Sequence, residues 1–384
     1  MYGGEGLARL AGGPDGKGGR VVLTPFVLPG ETARVRLADK VHAELLNVVG
    51  ASAERAAPPC PLFTQCGGCH YQHAAYEFQV ARKLEILREQ LTRVGKIAFE
   101  GEIKVISGPP LGYRNRAQFH VGDGRIGYLA AKSHDLVGLD GDCPTISPRL
   151  NRELAAMRER LSDPRFPKFA RAIEIFTNET EVQINVTESD KPVARRFYDW
   201  CESQVALEYP TGVGTFRVSP KSFFQVNRFL IDPLVEAAIG GQAGESAVDL
   251  YAGAGLFALP LAKAFQNVTA VEAGSAAAHD LSFNAARAEA ELKVEYARVE
   301  DYLARLEKTP DFILADPPRA GLGKEVVAQL ERLKPAAITI VSCDPATLAR
   351  DVAALSSYKL KALTLVDLFP QTYHLETVAH LTLS

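Results

Sequence analysis

From about Phe223 onward the chain alternates apolar runs of strand length with amphipathic runs of helix length, and few folds accept that order. RFLIDPLVEAAIG reads as a helix and SAVDLYA as a buried strand. Helical LFALPLAKAF, AAAHDLSFNAARAEA, EDYLARLEK, KEVVAQLERL and PATLARDVAAL then interleave with strand-like NVTAVEA, KVEYARV, DFILADPP and AAITIVSC, and strand sequence closes the chain. Strands that are apolar throughout must be covered on both faces, as right-handed β–α–β winding does. The pattern predicts an α/β domain over 219–384 built on a parallel, doubly wound, Rossmann-like sheet. Ligands of such sheets bind beyond the carboxyl ends of the strands, so chemistry is to be sought in those loops.

Upstream the periodicity differs. Residues 1–50 contain short strand-like runs (GLARL, VVLTPFVLPGE, TARVRLADK, VHAELLNVVG) around the turn-rich AGGPDGKGGR, which predicts a small all-β barrel. A helix is expected from Ala74 to Val94, with Leu84, Leu87, Leu91 and Val94 on one stripe. Short alternating strands over 103–150 and 170–218, a hairpin turn at Asp123-Gly124 and one helix over Asn151–Leu161 predict a mainly β central domain spanning 51–218. Three domains suit 384 residues, and 47% hydrophobic with 23% charged residues excludes disorder as a global description. The net charge of −3 argues against a uniformly basic coat. Residues 1–135 nevertheless carry 17 basic against 13 acidic side chains, and the remainder 26 against 33, so contact with a polyanion is expected in the front part. No apolar run reaches the ~18–20 residues of a membrane span, and MYGGEGLARL lacks the apolar core of a signal peptide. The expectation is a cytoplasmic protein that makes no membrane contact.

Several local patterns carry chemistry. Cys60, Cys66 and Cys69 lie within CPLFTQCGGC, and Cys143 lies in DGDCP. Six cysteines are too few for a disulfide scaffold, and clustered thiols around a Gly-Gly loop point to metal, with zinc and an iron–sulfur centre both open; buried structural cysteines are the plainer alternative. VDLYAGAGLFALPLA reads as strand, glycine turn and helix, a place for backbone amides to meet a nucleotide-like ligand, and Glu272 closes the next strand where it can bind ribose hydroxyls. A dinucleotide or a simple packing turn fits the same residues. Asp316 opens DPPR after another buried strand. Cys343 precedes a helix whose amino end should favour a thiolate, although a lone cysteine there also serves as a small core residue. Glu376, in the apolar stretch FPQTYHLETVAHL, is a candidate general base or an edge-strand charge, and neighbouring His374 is expected at the surface. Arg114, Arg116 and Arg125 with Tyr113, Phe119 and Tyr128 suit a phosphate-and-stacking surface, or the aromatics simply fill the central domain.

Taken together, FFQVN at Phe223–Asn227, LYAGAG at Leu250–Gly255, DPPRAG at Asp316–Gly321, SCDPATLARD at Ser342–Asp351 and the closing FPQTYHLETV resemble the S-adenosylmethionine-dependent 5-methyluridine RNA methyltransferases. The cysteine arrangement resembles their iron–sulfur subgroup acting on 23S ribosomal RNA, and GEGLAR with LPGE resembles the TRAM domain, an OB-like RNA-binding barrel. The resemblance implies a TRAM domain over 1–50, a central domain over 51–218 holding a [4Fe–4S] cluster on Cys60, Cys66, Cys69 and Cys143, and a methyltransferase domain over 219–384. It implies Cys343 as nucleophile, Glu376 as base, and Gln225, Tyr251, Gly253, Gly255, Glu272 and Asp316 around S-adenosylmethionine. Phe223 and Asp316 would meet the target uracil. The expected reaction is methylation of uridine carbon 5 in RNA, 23S ribosomal RNA foremost, through a covalent cysteine–uracil adduct. A tRNA uridine as substrate, or a non-catalytic iron–sulfur RNA-binding protein, are the alternatives. A radical S-adenosylmethionine enzyme is disfavoured because CxxxCxxC is absent. No obligate protein partner is inferred.

Overall fold

A computed structural model describes residues 2–11, 19–131 and 133–384; most of the AGGPDGKGGR turn lies outside the described residues. The chain opens with β1 (Glu5–Arg9), β2 (Val21–Pro25), β3 (Thr32–Leu37) and β4 (Ala43–Gly50). They form two antiparallel hairpins, β1 with β2 and β3 with β4, linked by a parallel bridge between Leu23 and His42. Arg55 fastens them to the following segment, donating to both carboxylate oxygens of Glu31 and to the Phe26 carbonyl.

Helix α1 (Tyr76–Arg93) buries Leu87 and Leu91. Val94 is 45% exposed because the helix has ended there and its backbone serves as the cap. After β5 (Ile103–Ile106) come β6 (Arg116–Gly122), β7 (Arg125–Leu129), β8 (Leu136–Gly138), α2 (Pro148–Arg160), β9 (Ala170–Thr177), β10 (Val182–Ser189), α3 (Arg195–Trp200), β11 (Leu207–Thr211) and β12 (Gly214–Val218). Strands β6–β10, without the β11–β12 hairpin, form a five-stranded antiparallel sheet ordered β10-β9-β6-β7-β8. Asp123 and Gly124 turn β6 into β7 with φ of +50° and +69°, the left-handed pair a tight hairpin needs. Helix α2 begins ahead of the expected Asn151 because Ser147 caps it, its side chain accepting from the Leu150 amide, and Pro148 occupies the first turn.

The remainder is α4 (Ile231–Ile239), β13 (Gly244–Leu250), α5 (Ala258–Ala264), β14 (Phe265–Glu272), α6 (Ser275–Arg287), β15 (Leu292–Tyr296), α7 (Val299–Arg305), β16 (Phe312–Ala315), α8 (Gly323–Leu333), β17 (Ala337–Ser342), α9 (Pro345–Ala354), β18 (Tyr358–Val366) and β19 (Glu376–Leu383). These strands build an eight-stranded sheet ordered β15-β14-β13-β16-β17-β19-β18-β5. One face is covered by α1, α7, α8 and α9 through Leu87, Leu303, Leu330 and Leu348. The other is covered by α4, α5 and the β11–β12 hairpin through Leu234, Leu259 and Phe216. The α/β expectation holds, with one departure from an all-parallel sheet and one strand drawn from outside 219–384. Strand β19 runs antiparallel to both neighbours, since the short link from Val366 to Glu376 cannot carry the crossover that parallel pairing demands. Strand β5, far upstream in the chain, adds a parallel edge beside β18.

Candidate active site

The strand order reverses between β13 and β16, and this switch point opens a crevice beyond their carboxyl ends. Tyr251–Gly255 leave β13 there, Glu272 ends β14, Asp316 follows β16 and Cys343 follows β17. Because β19 is antiparallel, its first residue, Glu376, lies at the same edge, one register step from the Ser342–Thr377 pair. The turn after β13 is held in an uncommon backbone state, with φ of +62° at Tyr251 and +98° at Gly255. A side chain at Gly255 would strike Leu281 at 2.7 Å, whereas one at Gly253 would meet nothing within 4 Å. The space over Gly253 is thus open. Glu272 braces the turn: the Gly253 amide donates to Oε2 at 2.8 Å and the Gly274 amide to Oε1 at 2.6 Å.

The titratable groups along this edge act on one another. Burial, followed by the neighbouring Glu376 and Asp316 carboxyls, pushes the Cys343 thiol up to about 11 despite the opposing Arg319. Burial raises Asp316 to about 7, and burial with Asp316 drives Glu376 well above the carboxylate range. The expected stabilisation of a thiolate by the amino end of α9 is therefore outweighed. That helix end is already capped by Asp344, whose Oδ1 accepts from the Ala346 and Thr347 amides at 2.9 Å each. Asp249, inside β13, is a member of the group that the sequence reading missed. It is fully buried, neither carboxylate oxygen has a hydrogen-bond partner, and burial, Asp316 and Glu272 hold it well above its ordinary value. An aspartate in the apolar run SAVDLYA was the available signal, since an unpaired buried carboxyl is costly unless something answers it.

Gln225 is buried on the segment 222–228, which is strung between two supports. The Asn115 side-chain amide donates to the Gln225 carbonyl at 3.1 Å, and the Asn227 amide reaches the Leu368 carbonyl at 3.1 Å. Phe223, on the same segment, is 60% exposed. The loop from Asp367 to Leu375, which leads into Glu376, is pinned by α1. There the fully buried Lys83 ammonium donates to Asp367 at 2.6 Å and to the Phe369 carbonyl at 2.9 Å, and the Tyr76 hydroxyl donates to Asp367 at 2.8 Å.

A family model described as tRNA (Uracil-5-)-methyltransferase matches residues 210–383. The 23S rRNA (uracil(1939)-C(5))-methyltransferase RlmD of Halomonas elongata is 32% identical over 422 residues, covering 95% of this chain and 86% of that protein. The chain belongs to the uracil-5 RNA methyltransferase family. A second relative, the RlmD of Acidithiobacillus ferrooxidans, is 32% identical over 98% of this chain and 94% of its own. Among solved structures, the tRNA (uracil-54, C5)-methyltransferase of Pyrococcus abyssi, in complex with S-adenosyl-L-homocysteine, superposes with a TM-score of 0.78 at 25% identity and covers 99% of both chains.

In this uracil-5 methyltransferase, other sequence expectations fall differently. Tyr113 and Phe119 have no exposed surface, and Arg116 is buried against Glu174 and the Ser222 carbonyl. The aromatics therefore fill the central domain; Arg125 alone of the three arginines projects into solvent. His374 is no surface histidine. Its ring packs on Tyr373 at 4.4 Å and near Phe369, and burial lowers it to about 3.

Cys60, Cys66, Cys69 and Cys143 line one small cavity with Arg114 and Tyr128. The Gly68 amide donates to the Cys66 sulfur at 3.4 Å, and burial pushes Cys66 up to about 11 and Cys69 to about 12. Among the described residues no three His, Cys, Asp or Glu side chains close up as the ligands of a single metal ion, and no helix is long and apolar enough to cross a membrane.

Proposed function

We propose that the protein methylates carbon 5 of a uridine in 23S ribosomal RNA, with Cys343 as nucleophile and Glu376 as base. The observation that carries the proposal is the meeting of Cys343, Glu376 and Asp316 at one sheet edge, close enough for both carboxyls to act on the thiol and for Asp316 to act on Glu376. The RlmD relatives support the choice of RNA.

S-adenosylmethionine, when bound, supplies an electrophilic methyl group on a cationic sulfur. Gln225, Tyr251, Gly253, Gly255, Glu272 and Asp316 would hold it, and their chemistry fits. The turn at Gly253 is open, Glu272 keeps lone pairs free beyond its two amide contacts, and Asp316, able to ionise beside a cation, suits a positively charged ligand. Phe223 is exposed as a stacking face for a uracil drawn out of its helix or loop. The Cys343 thiolate adds to carbon 6 and pushes electron density onto carbon 5, which is otherwise too weak a nucleophile. Once carbon 5 carries the methyl group, Glu376 takes its proton and Cys343 leaves as thiolate, restoring the 5,6 double bond. The experiment is mass-spectrometric nucleoside mapping of purified 23S rRNA and tRNA after treatment with the protein. 5-Methyluridine appearing in 23S rRNA is the expected result, its appearance in tRNA alone would transfer the activity to the other substrate, and none in either would overturn the reading.

Since burial holds Asp316 at about 7, a bound cation drives its proton off. A carboxyl that must ionise to bind makes affinity rise with pH, by up to about tenfold per pH unit for each proton released. S-adenosylmethionine binding measured by calorimetry should accordingly tighten as pH rises through about 7. An affinity flat from about pH 6 to 8 would remove Asp316 from the cofactor site.

The hairpins of 1–50 are proposed as an OB-like TRAM module gripping RNA, with the β6–β10 sheet of 51–218 as the central domain and 219–384 as the methyltransferase domain, which the expected boundary cut short because α1, β5 and the β11–β12 hairpin pack into it. A [4Fe–4S] cluster is proposed on Cys60, Cys66, Cys69 and Cys143. Four sulfurs around one cavity, a backbone amide aimed at Cys66 and the Arg114 cation beside them suit that donor set. Methyl transfer to carbon 5 needs no redox change, so the cluster's role would be to fix the fold or to orient the RNA. Protein purified without oxygen should carry iron and acid-labile sulfide in equal amounts; stoichiometric zinc without sulfide would refute the assignment.

A further inference from the structure

We propose that Tyr2, ahead of the first hairpin, is a positioning residue for the nucleophile: it holds Asp344 and through it the amino end of α9, beside Cys343. The proposal rests on Cys343 being the nucleophile. Asp344 divides its carboxylate between two partners. Oδ1 accepts from the Ala346 and Thr347 amides of its own helix, and Oδ2 accepts from the Tyr2 hydroxyl at 2.7 Å, a residue 342 positions away in the chain.

Tyr2 is fixed in its turn. Its ring meets Tyr373 edge-on with centroids 6.0 Å apart, and Tyr373 is backed by His70 at 4.5 Å. Gly4 lies so close to the Tyr373 ring that a side chain there would approach it at 3.1 Å, and its φ of +85° is one that other residues rarely adopt. Residues 2–4 are therefore wedged between the helix that follows Cys343 and the loop that precedes Glu376. Burial and the Asp344 carboxylate keep the Tyr2 hydroxyl protonated well beyond its usual range, so it stays a donor at every working pH.

Two effects follow for Cys343. With both oxygens engaged, Asp344 cannot rotate, and the backbone that aims the thiol is fixed. The Tyr2 hydroxyl also lies near enough to Cys343 for the two groups to sense each other's charge, beside a thiol that already faces Glu376 and Asp316, with Arg319 as the opposing cation. Deleting 1–50 would remove this contact together with any RNA grip, so a truncation cannot tell the two apart.

Tyr2→Phe can, because it keeps the ring and its packing and deletes the hydroxyl alone. The probe is 23S rRNA transcribed with 5-fluorouridine, on which the enzyme stalls as a covalent adduct because fluorine cannot leave as a cation. Losing a hydrogen bond to a charged group should slow adduct formation about tenfold or more at saturating RNA, and the rate should rise at higher pH than in the wild type. RNA affinity should not change. An unchanged rate and pH profile would overturn the proposal, and so would weakened RNA binding with a normal saturated rate, which makes Tyr2 an RNA contact. A wild-type protein that forms no adduct would instead overturn the function proposed above.

Discussion

Cys343→Ala should form no covalent bond with RNA and should lose methylation by at least about 10⁴-fold, the scale on which removal of a nucleophile acts. Glu376→Gln should do the opposite with the adduct. Addition and methyl uptake need no base at carbon 5, so they proceed, but the proton then stays and Cys343 cannot depart. A methylated protein–RNA species that survives a denaturing gel should accumulate, while turnover ceases. The two variants form a strict pair, an adduct with the glutamate change and none with the cysteine change. If Cys343→Ala still captured 5-fluorouridine RNA, another thiol would be the nucleophile. Cys201, outside the cavity cluster, is 1% exposed within the core of the central domain, so the structure offers it no path to a base.

Lys83→Ala should cost about 3–5 kcal/mol of stability, because removing one member of a buried ion pair leaves the other charged with no cation beside it and only the Tyr76 hydroxyl to answer it. Lys83 and Asp367 have no exposed side-chain surface, and burial lowers the Lys83 pKa even with Asp367 beside it. The pair is thus expensive to bury and more expensive to break. Equilibrium denaturation in urea measures the loss, and the double change Lys83→Met with Asp367→Leu should recover most of it by removing both charges. A single-variant loss below about 1 kcal/mol would mean that water or a shifted proton already answers Asp367. Activity should fall with stability, since the same pair pins the loop that delivers Glu376.

Much of the C-terminal architecture was legible because it is written in local periodicity. Apolar runs such as FILA and AITIVS can be nothing but covered strands, and the residues that leave them, Asp316 and Cys343, inherit their place from the strand ends. The start of α2 was missed at Asn151, although Ser147-Pro148, a cap and first-turn pair, was there to mark it. The rest depends on pairings that no window of sequence contains. Lys83 looks like one more charge on an amphipathic helix until Asp367 arrives from the far end of the chain, and Tyr2 looks like a frayed terminus until Asp344 does. The basic–aromatic set around Tyr113 stayed open for a related reason, since an aromatic at strand spacing serves a core or a stacking surface equally well and only the opposing sheet face decides.

The antiparallel strand β19 has a consequence for how the molecule comes into being. It lies between β17 and β18, so nothing synthesised before Glu376 can join β18, or the β5 edge beyond it, to the rest of the sheet. Until that segment emerges, the nascent chain holds β17 and β18 as open, apolar borders of unfinished structure, the kind of surface that pairs with the wrong neighbour. Glu376 is the first residue of the strand that closes the gap. In a cell the chain therefore acquires its base in the same event that seals its sheet, and a ribosome stalled short of that point releases an adhesive fragment in place of a slow enzyme.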